Sequence, residues 1–179
     1  MRAEGNRGIA RALAHMKKPR QSLEYLEKAL QAGARKSETF KALADLHFGQ
    51  LEKPGQAEDY YRQYLDALDP KVKADPGVYL NLGRLLSASS REEAVGFYEK
   101  AVEQGLLDIL GPDSAEVKKE MGLLYVKLCR WRQASDSLTE YHKSLGAGRE
   151  EERLVIDEIL TEHVLPKLLE EEKKKDGGK

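Results

Sequence analysis

The chain has 179 residues, with 30 Lys and Arg against 31 Asp and Glu for a formal net charge of −1, and a single cysteine, Cys129. This balance excludes the blanket basic charge that drives nonspecific adhesion to nucleic acid or acidic membrane, and one cysteine excludes an internal disulfide. Charged residues at 34%, hydrophobic residues at 40% and aromatics at only 7% suit amphipathic helices with solvated outer faces.

Apolar positions at helical spacing predict helices near 5–16, 20–32, 38–50, 54–68, 76–88, 91–109, 114–128, 131–145 and 150–174. Asp75 before Pro76 is expected to cap the fifth helix, and Ser90-x-x-Glu93 and Asp113-x-x-Glu116 to form capping boxes. The sixth helix is expected to run through Leu106, Leu107, Ile109 and Leu110 until Gly111-Pro112 breaks it. No apolar run approaches the ~20 residues that span a bilayer. Met1-Arg2-Ala3-Glu4-Gly5 opens no signal-peptide core, so the expected location is the cytoplasm, as the lone cysteine also suggests.

A two-helix unit recurs along this pattern. First helices read Ile9-Ala10-x2-Leu13, Phe40-x2-Leu43-Ala44-x2-His47, Tyr79-x2-Leu82-Gly83-x2-Leu86 and Met121-Gly122-x2-Tyr125. Second helices carry Ser22, Leu26 and Ala29, then Ala57, Tyr61 and Tyr64, then Ala94, Tyr98 and Ala101, then Ala134, Leu138 and Tyr141. Ala10, Ala44, Gly83 and Gly122 mark the positions where a neighbouring helix is expected to approach closely.

These residues resemble the tetratricopeptide-repeat family over roughly residues 5–145, with Asp69-Pro70 ending the second unit where that family often has proline. The resemblance implies an all-α, right-handed superhelical array of about four helix pairs across 1–149. A capping helix over 150–174 and a flexible tail over 175–179 complete the expected organisation.

Family geometry further implies a concave groove lined by the first helix of each pair. Its inward positions are Arg7 and Arg11, then Lys41, Asp45 and Phe48, then Leu80 and Arg84, then Lys119, Leu123, Val126 and Lys127, with Glu4, Glu38 and Ser87 beside them. The expected partner is another protein or peptide with apolar anchors flanked by acidic residues. The expected role is a non-catalytic scaffold or adaptor, with a peptide-binding or regulatory domain of a larger enzyme as the alternative. Part of the family grips the acidic C-terminus of heat-shock chaperones. Lys41 fits that clamp, but Asp45 replaces one of its asparagines, Asn81 lies near another, and Glu116 and Glu120 stand where cations belong, which opposes a carboxylate ligand.

No catalytic, metal or cofactor site is expected. His15, His47, His142 and His163 are dispersed, no Gly-rich phosphate loop or nucleophile elbow is present, and both His47 and Cys129 are expected to be packing residues. The ninth helix carries more apolar residues than one neighbour can cover. Leu154, Leu165 and Leu169 fall around it from Ile156, Ile159 and Val164, so they are candidates for self-association as a homodimer unless Pro166 bends the helix to bury them.

Overall fold

The computed structural model describes residues 2–176. The helices are α1 (Arg2–His15), α2 (Pro19–Gln31), α3 (Lys36–Gly49), α4 (Pro54–Asp66), α5 (Pro76–Leu86), α6 (Arg91–Glu103), α7 (Leu106–Leu110), α8 (Ser114–Lys127), α9 (Trp131–Ser144), α10 (Glu150–Glu158) and α11 (Leu165–Asp176). There is no strand among the described residues. The chain divides into two compact units with their boundary between Leu85 and Leu86, in the last turn of α5.

Helix starts follow local chemistry. Pro19 and Pro54 open α2 and α4, where a missing N–H costs no helical bond. At α5 the Asp75 carboxylate accepts a 2.8 Å hydrogen bond from the Gly77 N–H, so the cap expected there forms. The two capping boxes do not, since neither Ser90 nor Asp113 makes a side-chain cap bond. A 3₁₀ turn over Gly111–Asp113 puts Asp113 in helical backbone, out of the extended conformation a capping residue uses.

The expected 91–109 helix is also interrupted. Gly105 takes φ +89°, and its N–H bonds the Val102 carbonyl at 2.9 Å while Gln104 N–H bonds Lys100 at 3.0 Å. A glycine entering the left-handed region ends α6 before Pro112 is reached. Downstream, Pro166 does not break the terminal helical run but stands in the first turn of α11. It has no N–H for the fourth carbonyl behind it, and the turn before it widens into a π-helix over Ile159–Val164. Lys175 and Asp176, expected in the tail, belong to the last turn of α11; residues 177–179 lie outside the described residues.

The three-residue sets of all four second helices are buried, with Ser22 at 1%, Tyr64 at 6% and the other ten at 2% or less. Full burial of a large apolar side chain contributes roughly 1.5–3 kcal/mol, so these positions carry much of the fold's stability. In the first unit Ala10, Leu26, Leu43 and Leu46 form one cluster, and the Ser22 hydroxyl donates to the Ala10 carbonyl at 2.7 Å, tying α2 to α1. In the second unit Gly122 lets α8 close onto α9.

Tyrosines of the second helices also bond to the first helix of the next pair. The Tyr61 hydroxyl donates to Asp45 Oδ1 and accepts from Asn81 Nδ2, both at 2.7 Å. One repeat later, Tyr98 donates to Glu120 Oε2 at 2.8 Å. Asn81 and Glu120 each stand two residues before the repeat glycine of their helix, Gly83 and Gly122, so the same rung recurs once within each unit.

The terminal helical run lies along α9 and buries Ile156, Leu160 and Val164. Its other side is open, leaving Leu154, Val155, Leu165 and Leu169 exposed.

Candidate functional site

Within the first unit a cleft of about 650 Å³ opens between α1 and α3. Its floor is mostly small and apolar, formed by Ala10, Ala14, Ala42, Leu26 and Leu46, because the repeat places alanine where helices approach. The rim gathers four groove residues expected from the sequence, Arg7, Arg11, Lys41 and Asp45. A second hollow of about 510 Å³ shares Glu38, Lys41, Ala42 and Asp45 with it and continues to Tyr64, Val72 and Asp75.

Most of the rim charge is already answered. Arg7 pairs with Glu4 at 2.6 Å and also with Glu38 across the cleft. Lys41 lies 2.8 Å from Asp45 and 3.4 Å from Asp75. Burial alone lowers the Lys41 pKa, but these two carboxylates outweigh it and hold the ammonium above its usual range. Arg11 is exposed and has no polar partner among the described residues. Of the basic groove residues named on this rim, Arg7 and Lys41 are thus paired within the chain and Arg11 is not.

The apolar anchors separate in the same way. Phe48 is half-buried, its ring edge-on to Tyr61 at 6.4 Å between centroids. Leu80 is 7% exposed and belongs to the core, so it cannot serve as the partner contact the sequence suggested. The helical phase that turned it inward did not reveal how much of that face other side chains cover. Arg84 is exposed and is not without interactions of its own.

On α8, in the second unit, Leu123 and Val126 are half-buried and Lys127 is exposed. Lys119 is bound into a cluster that the sequence did not disclose. Its ammonium lies 2.6 Å from Glu152 and 2.9 Å from Glu116, and 5.0 Å from the centre of the Tyr141 ring. Arg149 reaches Glu116 at 2.9 Å, and Tyr141 hydrogen-bonds Glu152. Hydrogen bonds from Lys119 first, then Tyr141 and Arg149, hold the Glu152 pKa down at about 2. Burial opposes the Lys119 charge, yet the same carboxylates keep its pKa raised. The available sequence signal was Glu152 in the first turn of a helix, which reads equally well as a dipole-favoured acid.

The clamp residues are likewise committed: Asn81 donates to Tyr61, Glu116 pairs with Lys119 and Arg149, and Glu120 accepts from Tyr98. His47 is 3% exposed and stacked on Tyr60 at 5.4 Å, a packing residue as expected, while His163 is exposed. Cys129 is exposed as well, in a residue with φ +56° that ends α8, so its expected packing role is corrected. Three metal-ligating side chains do not come together anywhere among the described residues. None of the described helices is long and apolar enough to cross a membrane.

No family model matches the chain, and no curated protein does. Solved structures do. YrrB, described as a TPR protein with an unusual peptide-binding site, superposes with a TM-score of 0.69 at 15% identity, over 91% of this chain and 81% of its own. MamA gives 0.61 at 17% identity over 94% and 97% of the two chains. PilF of Pseudomonas aeruginosa gives 0.55 at 21% identity over 79% and 60%. At these identities the likeness establishes the fold, an all-helical repeat of paired helices.

Proposed function

We propose that this chain, which has the tetratricopeptide-repeat fold, is a non-catalytic scaffold that holds a segment of another protein in the cleft between α1 and α3. The carrying observation is the cleft itself, whose volume of about 650 Å³ falls within the usual range for binding sites. Small side chains on its floor admit a helix or an extended peptide closely. Its paired rim charges, with Arg11 alone open, favour a mainly apolar segment bearing one carboxylate over a strongly acidic one. Ion pairs that tie Arg7, Glu38, Lys41 and Asp45 into the scaffold suit a binding surface better than a reactive centre. That YrrB is described as having a peptide-binding site makes the reading plausible for this fold.

The test is to pan the protein against a random-peptide library and compare enriched peptides on two variants. Gly8 lines the cleft and a β-carbon there meets nothing within 4 Å, so Gly8→Trp adds bulk at the cleft. Peptides that use the cleft lose at least about tenfold in affinity to Gly8→Trp, and those bearing a carboxylate lose affinity to Arg11→Glu. Peptides that bind both variants as they bind the parent protein would place the binding face elsewhere.

A further inference from the structure

Large exposed apolar side chains gather in two places. α1 and the turn that follows it show Ile9 at 45% and Met16 at 60%, with half-buried Leu13 between them at helical spacing. The terminal helical run shows Leu154, Val155, Leu165 and Leu169 at 40–67%.

Repeat register explains the first patch. Ile9 stands where the later first helices carry Leu43, Leu82 and Met121, which are 0%, 0% and 9% exposed. Leu43 achieves its burial by clustering with Ala10 and Leu26 of the preceding pair. The Ile9 face is thus the face with which a first helix meets another helix pair, and at α1 it lies open.

The two places also differ in charge. Residues 2–20 carry six Lys and Arg against one carboxylate, Glu4. Arg11, Lys17, Lys18 and Arg20 there are exposed and unpaired among the described residues. Residues 150–175 carry nine carboxylates against five cations; Glu151, Glu158 and Glu162 are exposed and unpaired among the described residues, as are Lys173, Lys174 and Lys175 toward the end of the run.

We infer that the chain binds a second copy of itself head to tail, the Ile9–Leu13–Met16 face of one copy seating on the exposed leucines of the other's terminal helix. The two segments carry opposite net charge, so the encounter is attractive. A symmetric dimer through two terminal helices, the arrangement suggested by the sequence, would instead bring two net-acidic surfaces together. Because a head-to-tail contact joins unlike faces, a pair keeps one face of each kind free and further copies add to it. The inference does not depend on the α1–α3 cleft, and Gly8→Trp should leave it intact.

Sedimentation velocity on the whole chain tests it. The expected result is a mass that rises with concentration beyond that of a dimer and falls by about tenfold in association constant when salt screens the charges. Ile9→Asp and Leu169→Asp, both at exposed positions and checked for unchanged circular dichroism, should each be monomeric alone. Mixed, they should form a one-to-one dimer that grows no further, because each supplies the face the other lacks. Met16→Glu is expected to behave as Ile9→Asp does. A parent protein that stays monomeric at high concentration, a mixture that stays monomeric, or an Ile9→Asp variant that still dimerises while Leu169→Asp does not would each overturn the inference.

Discussion

Gly122 lies so close to Leu138 that a β-carbon on it would stand 2.7 Å from both Cγ and Cδ2 of that leucine and 3.3 Å from its backbone nitrogen. The distance between α8 and α9 is therefore set by a missing methyl group. Leu138 is itself wholly buried, so its side chain has no solvent to retreat into.

Gly122→Ala should lower stability by about 1–3 kcal/mol through overpacking, although alanine is by about 1 kcal/mol the better helix former. Gly122→Leu should cost more. Thermal and urea unfolding followed by circular dichroism measure both, and combining Gly122→Ala with Leu138→Ala should cost less than the two single losses added. An unchanged midpoint for Gly122→Leu would mean the helices are not packed at this distance.

His47 should make stability fall on mild acidification. Burial first, and the Lys53 charge second, lower its pKa below the ordinary 6.5, with Glu27 opposing them. In the unfolded chain the imidazole takes up a proton near 6.5, while in the folded chain it resists doing so. Its contribution is therefore fully present above that pH and is lost progressively as pH falls toward the depressed value. His47→Phe keeps a ring to stack on Tyr60 and should flatten the pH dependence of the melting temperature between about pH 7 and 5. Parallel pH profiles for the two proteins would count against this account.

The Glu152 cluster acts in a lower window. Its folded pKa of about 2 lies below the ordinary 4.5, so its stabilisation is present above 4.5 and disappears as pH falls from there toward 2. Glu152→Gln should remove that part of the acid sensitivity. It should also loosen α10, which amide exchange reads as faster exchange over 150–158. If exchange there stayed at the parent rate, the ion pairs to Lys119 and Arg149 would not be what holds α10 in place.

Tyr61→Phe should cost about 1–3 kcal/mol, because it leaves Asn81 and Asp45 without the hydroxyl that joins them. Removing Asn81 as well, as Tyr61→Phe with Asn81→Leu, should recover part of the loss. Chemical denaturation of the parent, Tyr61→Phe, Asn81→Leu and the double variant gives the coupling, and a value near zero would show that the rung contributes nothing.

What the sequence disclosed and what it hid divide along physical lines. Buried second-helix triples and the Gly122 contact were legible because packing obeys helical period, and period is written in residue spacing. The break at Gly105 was missed because the apolar residues after it keep helical spacing even though the glycine leaves the helix. Groove residues were placed on the right helices. Their availability was not legible, since Leu80 is closed off by its surroundings, and Arg7, Lys41 and Lys119 are paired by carboxylates up to 34 residues away in sequence, such as Glu38, Asp75 and Glu152. Such pairings depend on how separate helices come together, which local patterns do not encode.

The tyrosine rungs tolerate different lengths of chain between their ends: 20 residues separate Tyr61 from Asn81, and 22 separate Tyr98 from Glu120. Between Tyr98 and Glu120 the polypeptide goes through α7, where Leu106 anchors inward while Asp108 and Ile109 remain outside. Since the rung closes on either span, register between neighbouring helices is kept by its two ends and not by the spacer. The stretch at Asp108–Ile109 is consequently a permissive place to splice in foreign sequence, such as an epitope or a fluorophore-attachment tag, with the flanking helices left in step.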